Sequence, residues 1–311
     1  MRAPRAPPYA VPQTLQEVFE LVKSVPICVG FAFHHGIFLK QSKCQKCNQI
    51  MVLSVYTDAI DGMVWRCTKC RSRVTIRKHS ILMDSKLTLP QFLIFLFLWS
   101  RQTKVCDIRE ELSIASDTAS LLCSKMARAC DHWYKLTPRK IGGLGHTVQI
   151  DETQLSRKKH DKGRAVPGSD VWIFGGIDIQ TKEIFMEWVS SRAAATLMPI
   201  IEKYIEPGTT IHSDSWSAYN ALDKSQKYRH GRVNHAKSYV DPETGVHTQE
   251  IERLWRDFKQ KKKMTYGLRR VKVHDYCHEF IWRRSVKARN VDIFDASLRL
   301  LASATGDKVP W

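Results

Sequence analysis

Residues 147–153 read TVQIDET, and apolar Val148 and Ile150 alternate there with polar Gln149, Asp151 and Thr153. A period of two is that of a strand with one face buried, so Asp151 shares a face with Gln149 and Thr153, opposite Val148 and Ile150. Sixty-three residues on, within TIHSDSWSAY (210–219), a second short strand pattern, TTIHSD, ends at Asp214. A further 38 residues on lies Glu252, within HTQEIERLWRDFK (247–259), which changes to helical spacing. Ile251, Leu254, Trp255 and Phe258 form its apolar stripe, and Glu252, Arg256 and Lys259 fall at i, i+4 and i+7 on another face. Each acid has a plain explanation by itself: a strand-end turn cap for Asp151, a helix N-cap for Asp214, an ion pair with Arg256 for Glu252. The ordered set of strand acid, strand acid and helix acid points elsewhere. Phosphodiester chemistry uses two divalent ions roughly 4 Å apart, and carboxylates are the hard oxygen ligands that Mg²⁺ or Mn²⁺ prefers. Glu152 belongs to the other strand face and Glu250 lies about 200° round the helix from Glu252. Both are left out of the set, as is Asp178, which reads as a strand or hairpin residue. Lys259 on the acid's helix face is placed to hold a phosphate, although a solvated helix face explains it equally well.

Charge gives the second constraint. The 311 residues carry 49 Lys and Arg against 31 Asp and Glu, a formal net charge of +18, which points to a polyanionic partner, nucleic acid first. No basic amphipathic helix with an aromatic face stands out at either end, so a membrane-surface role is disfavoured. The longest apolar run, FLIFLFLW at 92–99, has eight residues where a membrane span needs about 20. It reads as a buried helix. MRAPRAPPYAVP at the start has arginines but no apolar core for a secretory signal. Nine cysteines in a large basic chain of this kind suggest reduced thiols and metal rather than disulfides.

Cys44 and Cys47 (CQKC) and Cys67 and Cys70 (CTKC) form two knuckles with nineteen residues between them, the pattern of a tetrahedral zinc ribbon. Four thiolates leave no position for a water, so this Zn²⁺ is structural. Cys28, Cys106, Cys123, Cys130 and Cys277 lie in apolar or helical surroundings and read as core residues. Basic residues cluster in two further places. RKKHDKGR, with Arg157, Lys158 and Lys159, follows Asp151 directly. Residues 259–289 then hold eleven Lys or Arg, among them Lys261, Lys262, Lys263, Arg269 and Arg270, interleaved with Tyr266, Tyr276, Phe280 and Trp282. With Arg256 these form a candidate surface for DNA phosphates. KQKKK at 259–263 would also suit nuclear import, a weak signal.

Punctuation and periodicity divide the chain. Residues 1–39 read as a Pro- and Ala-rich tail followed by a helix in TLQEVFELVKSV. Residues 40–86 read as strand pieces, MVLSVYT, MVWRC and VTIRKHSI, around the cysteines. Residues 87–140 read as helices, LPQFLIFLFLWSR, VCDIREEL and SDTASLLCSKMARACDHWYK. Gly142, Gly143 and Gly145 mark a linker. The main domain is then placed at 144–295: VWIFGGIDI and EIFMEWVSS form a hairpin, ATLMPIIEKYI a helix, TTIHSD a strand and SAYNAL a helix start. Strands mixed with helices in this order give an α/β domain, and 296–311 is read as a C-terminal tail.

With IDET, HSDSWSAY and HTQEIERLW-x-x-x-K in place, the chain resembles the DDE transposases, and within them the Merlin superfamily and its bacterial insertion-sequence relatives, over roughly residues 40–290. The resemblance implies an RNase H-like mixed-sheet catalytic domain, preceded by the zinc ribbon and a helix-turn-helix-like module whose helix near Asp117–Trp133 reads the element's ends. It also implies cut-and-paste cleavage and strand transfer. Asp151, Asp214 and Glu252 would hold two Mg²⁺ or Mn²⁺ ions, one activating water or a DNA 3′-hydroxyl and the other stabilising the leaving oxygen. Some bacterial relatives carry Asn where this chain has Gln249; the third ligand is assigned to the ionisable Glu252. Implied partners are double-stranded DNA, as terminal inverted repeats and target, and a second copy of the chain on that DNA, with no membrane. The compartment would be the nucleus in a eukaryote and the cytoplasm or nucleoid in a bacterium. Two alternatives stand beside this: a domesticated, catalytically silent DNA-binding protein, and an RNase H-like nuclease without strand transfer.

Overall fold

The computed structural model describes residues 9–137, 140–154, 172–264 and 273–306, with backbone alone for 261–264. It divides into two units, Met1–Leu136 together with Asn290–Trp311, and Thr137–Arg289. In the first unit α1 (Leu15–Val22) starts at Thr14, whose hydroxyl accepts from the Glu17 amide, and α2 (Val25–His34) buries Cys28, Val29, Phe31 and Ala32. Strands β1 (Val52–Val55), β2 (Met63–Arg66) and β3 (Arg73–Thr75) follow as an antiparallel meander. The expected strand VTIRKHSI stops at Thr75, because the chain turns to bring Arg77 inward. Its guanidinium donates two bonds of 2.6 Å to Asp61 in the β1–β2 turn and two more to the Ser85 and Leu87 carbonyls. A buried ion pair persists when every guanidinium nitrogen finds an acceptor in this way.

Helix α3 (Leu89–Ser100) opens with a capping box, Thr88 and Gln91 each bonding the other's backbone amide. Phe92, Leu93, Phe95 and Leu96 are fully buried, so the longest apolar run is a core helix. Among the described residues no helix is long and apolar enough to cross a membrane. α4 (Val105–Leu112) ends at Ser113, whose φ of 50° lets the chain turn within three residues into α5 (Ser116–Leu136).

The second unit is built on a five-stranded sheet. β4 (Ile141–Gly142) precedes β5 (Thr147–Gln154), β6 (Trp172–Asp178) and β7 (Ile184–Val189), the last three an antiparallel meander. α6 (Ala194–Tyr204) leads through β8 (Ile205–Glu206), which pairs with β4, to β9 (Thr210–Asp214). A 3-10 helix, Ser217–Lys224, stands where SAYNAL suggested a helix start, and β10 (Arg229–Val233) comes next. The strand order is β10-β9-β5-β6-β7, with β9 parallel to both β5 and β10. Three meandering strands extended on the first strand's free edge by two parallel ones give the RNase H-like arrangement expected from the sequence. α7 (Gln249–Met264) packs on β5 and β6, and α8 (Val273–Ala288) on β7.

One boundary differs from the sequence reading. Residues 296–304, expected at the start of a tail, belong to α9 (Ile293–Ala304), which packs on α5 and α3 in the first unit. Asp292 caps it by accepting from the Phe294 and Asp295 amides, and Phe294, Leu298 and Leu301 are buried. Its apolar spacing is what carries the end of the chain back to that core.

Candidate active site

The parallel ladder between β5 and β9 pairs Thr147 with Thr210, Val148 with Ile211 and Gln149 with His212, an offset of 63 residues at every step. Asp151 and Asp214 are separated by the same 63, so extending the ladder by two residues sets them abreast on neighbouring strands. Being two residues beyond Gln149 and His212, they share those residues' face. Asp151 sits opposite Gly175 of β6. Asp214 ends β9, and its Oδ1 accepts from the Trp216 amide at 3.0 Å; the N-cap of the following 3-10 helix, read for Asp214 from the sequence, falls on Trp216 instead.

Gln149 is the hinge between this face and α7. Its buried Oε1 accepts from the Glu250 and Ile251 amides at 2.9 and 3.1 Å, so a strand side chain satisfies two of the helix's free N-terminal donors. One turn further on, the Trp255 indole donates to Asp151 Oδ2 at 3.1 Å. Ile251, Leu254, Trp255 and Phe258 are all buried, as the stripe predicted. Room for the indole comes from Gly175, where a Cβ would lie 2.7 Å from Trp255 Cη2 and 2.8 Å from the Phe185 carbonyl oxygen.

Glu252 is exposed on α7, and its Oε1 accepts from the Thr248 hydroxyl at 2.9 Å. That hydroxyl is 2.8 Å from His235 Nε2, which itself lies 3.5 Å from Glu252 Oε1. Each of the three carboxylates thus accepts from a neutral donor: the indole, with the Glu152 backbone amide, for Asp151, a backbone amide for Asp214, a hydroxyl for Glu252. Burial raises the Asp151 pKa from 3.8 to about 7, with the nearby Glu152 and Asp214 charges pushing the same way. The three carboxylates do not form a group with all ligand atoms within 4.8 Å of one another; among the described residues only the four thiols do.

Lys259 is exposed on the same helix, as is Arg256. Glu250 takes Lys182 at 3.2 Å. Asp178 is a turn residue, accepting from the Gln180 and Thr181 amides and lying 2.8 Å from His146 Nδ1. Glu152 does point to the other sheet face, and there it is fully buried against Arg192 at 3.3 Å. Arg157, Lys158, Lys159, Arg269 and Arg270, with the side chains of Lys261, Lys262 and Lys263, lie outside the described residues. Gln149, Thr248, Trp255 and Gly175 were missed as parts of the site. Only the shared face of Gln149 and Asp151 hinted at any of them.

In the first unit the cysteines meet as their spacing predicted. Sγ separations are 3.3 Å for Cys44 and Cys70, 3.4 Å for Cys47 and Cys67, and 3.8 Å for Cys47 and Cys70. The knuckles are built alike. The Asn48 amide donates to Cys44 O and the Arg71 amide to Cys67 O, and both donors are left-handed, at φ 56° and 59°. Two sharp turns stacked this way bring four sulfurs to one point, the ligand set of a zinc ribbon. Of the other cysteines, Cys28, Cys130 and Cys277 are buried, while Cys106 and Cys123 are only partly so.

The second unit therefore has the sheet of an RNase H-like domain, with an acid two residues past the end of the parallel ladder on each of two adjoining strands. Residues 143–285 match the family model described as the ISXO2-like transposase domain. A relative from Haemophilus influenzae, described as an uncharacterized transposase-like protein, is 25% identical over 101 residues, 32% of this chain and 80% of its own. Over residues 143–285 the chain is thus similar to the transposase domains of this insertion-sequence family. Among solved structures, the catalytic core of BIV integrase aligns with 43% of this chain and 80% of its own at 15% identity and a TM-score of 0.29. A simian T-cell lymphotropic virus intasome aligns with 52% of this chain and 56% of its own at 12% identity and the same TM-score of 0.29. At that level of overlap the fold is read from the strand order.

Proposed function

We propose that the protein is a metal-dependent DNA transposase that cuts and rejoins the ends of its own element, with Asp151, Asp214 and Glu252 as the ion-holding acids. The observation that carries this reading is the ladder offset, which sets Asp151 and Asp214 abreast on the face where Gln149 and Trp255 dock the helix of Glu252. The donors are all hard oxygens, and the raised Asp151 pKa marks a carboxyl that lacks a counter-charge, so the set suits Mg²⁺ or Mn²⁺. Two such ions would activate the attacking water or 3′-hydroxyl and neutralise the leaving oxygen. Trp255 orients Asp151, Thr248 with His235 orients Glu252, and Lys259 on the outer face of α7 holds a phosphate of the bound strand. Four thiolates around one structural Zn²⁺ hold the ribbon. The ribbon and the α4–α5 pair recognise the terminal inverted repeats, a dimer forming on that DNA, and the tract from Lys261 to Arg270 contacts its backbone.

The test is incubation of the purified chain with labelled terminal-repeat DNA and Mg²⁺, scored for cleavage and joining. Asp151→Asn, Asp214→Asn and Glu252→Gln should each abolish both while DNA binding stays nearly intact, and Glu250→Gln should cleave close to normally. Near-normal cleavage by one of the three removes that residue from the site. Binding without cleavage by the unaltered protein would leave a silent DNA-binding protein instead.

A further inference from the structure

Behind the acids, on the other face of β5, the Glu152 carboxylate is fully buried and its counter-ion is Arg192, at 3.3 Å. A buried pair of this kind contributes little net stability, because desolvation offsets most of the attraction. What it does is fix a guanidinium in place. The Arg192 Cζ lies 4.6 Å from the centre of the Trp172 ring and 4.5 Å from that of Trp216. The Trp216 indole donates to the Arg192 carbonyl at 3.4 Å, and its backbone amide holds Asp214 Oδ1 at 3.0 Å. Trp216 is thereby secured at ring, indole nitrogen and backbone, yet it remains 42% exposed. An aromatic ring that has already lost its side-chain freedom but not its solvent contact is prepared for a flat partner. It stands two residues from Asp214, in a chain of net charge +18, over a cation that adds to its attraction for an anionic strand.

We propose that Trp216, backed by Arg192 and anchored through it to Glu152, is a stacking platform for an unpaired nucleobase of the DNA held at the acids. The inference rests on the transposase reading for its DNA. Paired bases inside a duplex stack on both neighbours and a terminal pair stays tied to its partner, so a ring beside the acids takes most readily the face of a base freed from pairing, at a strand end or a locally opened step. The platform would therefore favour DNA with an unpaired base near the reacting phosphate and hold that strand against Asp214.

The test is metal-free binding, in EDTA, of a blunt terminal-repeat duplex and of the same duplex with unpaired terminal bases, one of them 2-aminopurine. The unaltered protein and Trp216→Phe should prefer the unpaired probe by about tenfold, within the range of base–aromatic stacking, and quench its 2-aminopurine. Trp216→Ala should bind the blunt duplex as before and lose both the preference and the quenching. Glu152→Gln, which frees Arg192, should lose part of the preference, whereas Asp151→Asn should keep all of it. The platform is overturned if the unaltered protein shows no preference, if Trp216→Ala retains it, or if Trp216→Ala weakens both probes equally. Failure to bind either duplex would instead overturn the transposase reading together with the platform.

Discussion

Asp151 ionises against its surroundings: buried beside Glu152 and facing Asp214, its carboxyl has a pKa of about 7 in place of 3.8. In the folded, metal-free protein it keeps a proton that the unfolded chain would release. Its contribution to stability is therefore complete below about pH 3.8 and is lost as pH rises toward 7. Asn keeps an oxygen for the Trp255 indole and carries no charge. The melting temperature of metal-free Asp151→Asn should accordingly gain on that of the unaltered protein between pH 4 and 7, and parallel curves would show that the carboxyl titrates normally. Removing the charge partner and removing the indole are different changes. The first acts on ionisation through charge, while the second acts on where the carboxylate points and also removes a hydrogen bond that lowers its pKa.

At the scale of elements, β6 gives up a side chain so that α7 can approach the sheet. Gly175→Ala would set a methyl against Trp255 Cη2 and against the Phe185 carbonyl oxygen, and the second of these is backbone within the β6–β7 ladder. Denaturant unfolding should show a loss of about 1–3 kcal/mol, the usual cost of overpacking, with the indole forced off Asp151. An unchanged midpoint would mean the ladder yields more easily than its hydrogen bonds suggest. The ribbon brings its four thiols together as one ligand set. Metal analysis should find about one tightly held Zn per chain, absent from Cys44→Ser/Cys67→Ser, because the binding free energy of such a site is part of its module's folding free energy. Protein purified without chelator and found free of zinc would count against the ribbon.

For the whole molecule the governing quantity is charge. If DNA is the partner proposed above, a net +18 should make affinity steep in salt, and each phosphate contact removed should flatten the dependence of log affinity on log salt by about 0.9. Neutralising Lys261, Lys262 and Lys263 should weaken binding to all sequences alike and reduce that slope. Changes on α5 should alter sequence preference at fixed salt. A lysine variant that lost only specific binding and kept its slope would reverse this division between the two units.

Periodicity and spacing alone determined the strands and helices around the acids, the zinc-ribbon ligands and the candidate acids themselves, since each of these patterns is local. The 63 residues between Asp151 and Asp214 were legible as a number, but only the sheet revealed them as the register of a parallel ladder. Tertiary structure alone decided that Gln149 caps a helix about a hundred residues away, that Gly175 makes room for Trp255, and that Glu152 holds Arg192 against Trp216. It also decided that α9 returns to the first core. The physical reason is common to all four: a side chain's role there is set by what the fold places against it, and that neighbour leaves no periodicity or spacing for a single sequence to display.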